Sequence, residues 1–121
     1  MSTSIEYREQ MNVRLKSFAL RVIKLFQSLP KTDEARIIGK QLLRSGTSVA
    51  ANYRAACRAR SGKEFFSKLS IVTEEADESL FWMELLIEAE IIPQKRLESL
   101  MNESTEILKI IAVSRKNAQT K

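Results

Sequence analysis

The sequence predicts an all-α protein, an antiparallel up-down four-helix bundle, on three observations. Only three of 121 residues are glycine and two are proline, too little punctuation for the many turns of an all-β domain. Apolar residues recur at three- and four-residue steps over long stretches, the period of a helix with one buried face. The period breaks clearly at "LPKTDEAR" around Pro30, "ARSGKE" around Gly62 and "EIIPQK" around Pro93, leaving four long segments with short connections. The expected helices are 5–29, 33–59, 62–90 and 94–117, within a single domain over residues 1–121.

Each segment carries its own signals. In the first, Met11, Leu15, Phe18, Val22, Leu25, Phe26 and Leu29 form one apolar face. Thr32 or Asp33 can cap the second helix, with Asp33 and Glu34 near its positive end. Its inward face is Ala35, Ile38, Gly39, Leu42, Gly46, Val49, Tyr53 and Ala56, even though "SGTSVAAN" is poor helix material. Glycines and alanines on an inward face let a neighbouring helix approach closely, so a tight crossing is expected there, with a kink or binding loop as the alternative. Ser61 and Glu64 have the S-x-x-E spacing of a capping box and open the third helix. The inward residues of that helix are Phe65, Leu69, Val72, Ala76, Leu80, Met83 and Ile87. Pro93 suits the first turn of the fourth helix, which turns Leu97, Leu100, Met101, Ile107, Leu108 and Ile111 inward.

Charge is sorted along the chain. The overall net charge is +5, but residues 31–63 hold eight basic and two acidic residues, and residues 64–90 hold one basic and eight acidic. On a helical projection Arg36, Lys40, Arg44, Arg54 and Arg58 fall within an arc of about 80°, nearly opposite the apolar face of the second helix. Arg60 and Lys63 carry positive charge past its end. Such a stripe has three readings. It is a solvated face, or it is neutralised by Glu74, Glu75, Asp77 and Glu78 of the third helix, or it is a surface for nucleic-acid phosphates, with Arg36, Lys40, Arg44, Arg54, Arg58 and Arg60 as contacts. Arginine suits bidentate contact with carboxylate and phosphate alike and does not choose between them. Tyr53, the one aromatic of this segment, points with the core, so base stacking has no support there and binding to RNA or DNA should be electrostatic and indifferent to sequence.

The third helix has a second apolar line. Ile71, Trp82, Leu85 and Ala89, interleaved with Glu75 and Glu78, lie nearly opposite its inward face and are expected to be exposed in a lone subunit. A tryptophan at the centre of such a ridge points to a protein contact, and self-association through it would be heterologous, closing into a ring.

Other functions find little support. The sequence has no histidine, the commonest general base and metal ligand. The carboxylates of "EEADE" at 74–78 share one helix and leave its core face, unlike those of metal-binding bundles, so no metal or other cofactor is expected. Cys57 and the hydroxyls lack an evident activating partner, there is no glycine-rich phosphate loop, and no small-molecule substrate is evident, so an enzyme is not expected. The single cysteine gives no sign of an oxidising compartment, "MSTSIEYREQ" lacks the apolar run of a secretory signal, and "LFWMELLIEAEII" is interrupted by Glu84, Glu88 and Glu90. A cytoplasmic protein with no membrane partner is expected.

The stretch "TSVAANYRAACRARSGKEFFSKLSI" resembles the bacterial four-helix bundle family named for proteins encoded in 23S rRNA intervening sequences. Ser48, Asn52, Ser61, Glu64 and Phe65 match the family's Ser-x-x-x-Asn, basic stretch and Ser-x-x-Glu-Phe in order and spacing. The sequence departs from the pattern at Ala55 and Ala56, where many members have an acidic-glycine pair, and at Glu74 and Glu75, which replace a glycine- or serine-rich stretch. The resemblance implies a ring-forming homo-oligomer, a pentamer, with a basic surface. It also implies a fold similar to the accessory protein of diversity-generating retroelements, which associates with nucleic acid and a protein partner.

Overall fold

A computed structural model describes residues 4–119. Four helices run in sequence: α1 (Ser4–Gln27), α2 (Asp33–Cys57), α3 (Gly62–Glu88) and α4 (Gln94–Gln119). No strand occurs among the described residues. Each helix packs antiparallel against the next, and α1 and α4 close the bundle along a sparser seam. The expected helices are all present, with ends that differ by about two residues. The first three stop early because their last turns tighten: Leu29 N–H donates to Phe26 C=O and Ala59 N–H to Ala56 C=O, bonds spanning three residues rather than four.

Local chemistry sets the boundaries. Thr32 caps α2, its hydroxyl accepting from Ala35 N–H at 3.3 Å, and Ser61 caps α3 by accepting from Glu64 N–H at 3.1 Å. The Glu64 carboxylate reaches back to Arg60 N–H at 3.3 Å, one residue before the cap. After α3, Glu90 adopts a left-handed φ of 58°, which lets Ile91 N–H reach Leu86 C=O and Glu90 N–H reach Ile87 C=O. That geometry turns Ile92 into the core directly before Pro93.

The core draws on all four helices. Leu15, Phe18, Val22, Leu42, Val49, Leu69, Val72, Met83, Leu97, Ile107 and Ile111 are buried as expected. The α2 glycines do what their inward position suggests. A Cβ on Gly46 would stand 2.8 Å from Val22 Cγ2 and 3.2 Å from Val22 Cβ, and one on Gly39 would meet Leu29 Cδ1 at 2.4 Å. The weak helix formers of "SGTSVAAN" therefore belong to an unbroken helix pressed against α1, with no loop.

The inward face of α3 needs correction. Phe65, Leu80 and Ile87 are half-buried, whereas Ser79 and Leu86 are fully covered. Ser45 of α2 and Ser104 of α4 are buried too, and their polarity is satisfied. The Ser45 and Ser79 hydroxyls hydrogen-bond each other at 2.9 Å, Ser79 also donates to Glu75 C=O, and Ser104 donates to Ala76 C=O across the α3–α4 contact. Small side chains at these levels let α3 sit closely against both neighbours.

Candidate nucleic-acid interface

All six cationic residues singled out on α2 and its following turn are exposed, but they do not form one surface. Arg44 lies at the edge nearest α3. Its guanidinium pairs with Glu75 at 3.1 Å and with Glu78, while Glu78 also accepts the Trp82 indole N–H at 3.0 Å. Arg44 is thus held by the acidic helix of its own subunit.

The other cations turn towards α1. Arg54 and Arg58 line a groove of about 500 Å³ with Lys16 of α1, over a floor that includes Val13, Leu20 and Ala50. Nearer the α1–α2 turn, Arg36 and Lys40 join Lys31 around a second depression beside Phe26, Leu29 and Pro30. Neither lining contains a carboxylate. Among the described residues, Arg36, Lys40, Arg54 and Arg58 make no ion pair. Arg36 donates to the Lys31 carbonyl. From Arg36 to Arg58 the helix rises roughly 33 Å, enough to track several backbone phosphates. Lys16 and Lys31 were not foreseen, because a projection of α2 alone cannot show what a neighbouring helix adds. Arg60 lies apart, in the turn before α3, on the wall of a third cavity that it shares with Arg8.

The expected ridge on α3 is less exposed than its projection suggested. Ile71, Trp82 and Leu85 are half-buried, as are Glu75 and Glu78, and Ala89 alone of the six is exposed. The cause is α2, which lies against that side and sends Arg44 across it. The outward arc of α3 carries Glu74, Asp77, Phe81, Glu84 and Glu88 instead. Phe81 is 51% exposed and meets Trp82 edge-on at 4.9 Å between ring centroids.

Polar side chains also hold the sparse α1–α4 seam. Arg14 grips Glu103 through two bonds of 2.8 Å, Arg21 donates to Ser99 at 2.9 Å and Arg96 to Ser28 at 3.0 Å. The hydrogen bond from Arg14 lowers the pKa of Glu103 and raises that of Arg14. The residues that carry the family resemblance serve local structure. Asn52 bonds the Ser48 carbonyl at 2.9 Å, Ser61 and Glu64 cap α3, and Phe65 lies under the Arg8 guanidinium. No cluster with metal-ligand character occurs among the described residues, and no helix there is long and apolar enough to cross a membrane.

These features define a class: an all-α bundle with a basic face shared by two helices and an acidic face on a third. Residues 9–113 match the family model described as "23S rRNA-intervening sequence protein", and the chain belongs to that family. It is similar to a crystal structure from Bacteroides thetaiotaomicron VPI-5482, described as a protein of unknown function from the S23 ribosomal protein family. The two share 38% identity at a TM-score of 0.84, over 90% of this chain and 97% of the other. No match was found among curated proteins.

Proposed function

We propose that this protein is a non-enzymatic, oligomeric bundle that binds RNA or DNA through the backbone phosphates. The observation that carries the reading is the α1–α2 face, where Lys16, Lys31, Arg36, Lys40, Arg54 and Arg58 stand without a carboxylate partner among the described residues. Arg44, equally basic in sequence, is neutralised within the subunit and drops out of the surface. A row of cations on a rigid helix pair displaces the counterions of a nucleic acid without reading its bases. Neither the family description nor that of the solved relative names a catalytic activity.

A second reading has its own support. The outward arc of α3 presents Phe81 among Glu74, Asp77, Glu84 and Glu88, and the α1–α2 groove presents Val13 and Leu20 among Lys16, Arg54 and Arg58. Each surface is apolar at its centre and opposite in charge to the other. Two different patches that complement each other join head to tail, which builds a ring where the rotation closes, rather than a two-fold dimer. The family resemblance implies a ring of five. In this scaffolding reading the groove is occupied by protein, and its arginines meet carboxylates of a neighbouring subunit.

Titrating single- and double-stranded RNA and DNA at several salt concentrations, with the assembly followed by sedimentation, separates the two. Phosphate binding gives an affinity that falls steeply with salt, and Arg54→Glu with Arg58→Glu lowers it while the assembly persists. Scaffolding gives the reverse: the double reversal dissociates the assembly, and nucleic-acid affinity is weak from the start. An affinity unchanged by reversal refutes the first reading.

A further inference from the structure

At the end of the bundle opposite the α1–α2 turn, the start of α1, the end of α2, the start of α3 and the end of α4 converge on an open cavity of about 690 Å³. Its volume lies within the range of small-molecule sites and is too small for a duplex. Among the described residues its lining holds two arginines, Arg8 and Arg60, and no carboxylate. Neither guanidinium takes part in an ion pair there. The Glu64 carboxylate, close in sequence, is turned to the Arg60 backbone N–H.

Three aromatic residues, Tyr7, Tyr53 and Phe65, line the cavity among small and polar ones. The Arg8 guanidinium lies over the Phe65 ring at 4.9 Å from its centroid, a cation–π pair on the cavity lining. Tyr7 is 43% exposed beside it, and Tyr53 is buried to 2%. Burial, with Cys57 close by, pushes the Tyr53 phenol well above its usual range, so it stays neutral. An arginine paired with an aromatic ring, with an exposed tyrosine near it, offers flat surfaces to a nucleobase of any kind, and a second, exposed guanidinium can donate to phosphate.

We propose that this cavity binds one nucleotide unit, with its base against the Arg8–Phe65 pair and Tyr7 and its phosphate monoester on Arg60. The site is separate from the α1–α2 face, so it stands or falls independently of the function proposed above. The unit has two sources, a free nucleoside monophosphate or the phosphorylated end of a strand. Arg60, which its place in the sequence groups with Arg54 and Arg58, belongs to this cavity.

Calorimetry on the full-length protein tests the assignment with adenosine monophosphate, inorganic phosphate, and a trinucleotide with or without a 5′-phosphate. The expected result is saturable binding of adenosine monophosphate or the 5′-phosphorylated trinucleotide, at least tenfold tighter than inorganic phosphate. Preference between those two ligands identifies the source. Tyr7→Ala and the pair Arg8→Gln, Arg60→Gln should each weaken binding about tenfold, with the helical circular dichroism spectrum unchanged, because these side chains leave the buried core intact. Arg54→Glu with Arg58→Glu should leave it as it was. Failure of both nucleotide ligands to bind, equal affinity for inorganic phosphate, or indifference to the Arg8 and Arg60 changes would overturn the proposal.

Discussion

The two flanks of α2 are built from similar residues and behave differently. On the α3 flank, Ser45 meets Ser79 in the interior and Arg44 meets Glu75 and Glu78 at the surface, so polar groups are matched at both depths. On the α1 flank, Gly39 and Gly46 admit apolar side chains from α1 and its following turn, and the cations outside make no ion pair among the described residues. The difference shows how one helix can anchor a bundle with one side and offer unspent charge with the other.

The largest expected effect breaks the glycine contact. Gly46→Leu forces a branched side chain into Val22 and should abolish cooperative unfolding. Gly46→Ala should cost about 1–2 kcal/mol net, because overpacking outweighs the gain in helix propensity. Gly39→Ala should be milder, since the nearest atom is the tip of Leu29, which can rotate away. Chemical denaturation measures all three, and equal costs at the two glycines would show that α1 does not press on α2 as described.

On the opposite flank, Ser45→Ala and Ser79→Ala should each destabilise by about 1 kcal/mol, as buried hydroxyl hydrogen bonds do. The double change should cost less than the sum, because the second loses a partner already gone. Strict additivity in the same denaturation experiment would mean that the two hydroxyls do not share a bond.

A smaller effect tests the far edge of α1. The pKa of Glu103 is lowered by its hydrogen bond from Arg14, so the stabilisation it gives is complete above the ordinary glutamate range near 4.5 and is lost as pH falls through the lowered value. Glu103→Gln should therefore flatten the stability profile in that acidic range and cost about 1 kcal/mol or less at neutral pH, since Arg14 is partly solvated. An acid limb as steep as that of the unaltered protein would show that the pair contributes nothing.

The smallest effect sharpens the comparison most directly. Arg44→Ala should change stability by less than about 1 kcal/mol, as expected for an exposed pair. Arg44→Glu should leave nucleic-acid affinity nearly unchanged, in contrast to reversal at Arg54 and Arg58. A loss as large as theirs would place all five cations on one surface after all.

Much of this arrangement was legible in the sequence. Four helices, the cap at Ser61, a cap at Thr32 or Asp33 that proves to be Thr32, and the inward glycines of α2 follow from local rules that need no neighbour. The buried serines were not legible, because Ser45, Ser79 and Ser104 read as polar until a matching partner stands opposite. The ridge on α3 is less exposed than its spacing predicts for a related reason. A projection assigns one inward side, whereas a helix flanked by α2 and α4 covers a wider arc, and Ile71, Trp82 and Leu85 fall within its margin. The exposed aromatic of α3, Phe81, sits among acidic residues and gives no periodic signal.

For the candidate site, the sequence supplied the cations and the tertiary structure divided them. Roughly 80° of arc separates Arg36 and Arg54 from Arg44 on the α2 projection, and that angle decides which neighbour each one faces. By itself, then, the sequence determined the fold class, the helix starts and the segregation of charge, since those depend on local propensity and spacing. The tertiary structure alone decided which charges cancel and which remain, because a Coulomb partner is defined by distance in space and not by position along the chain.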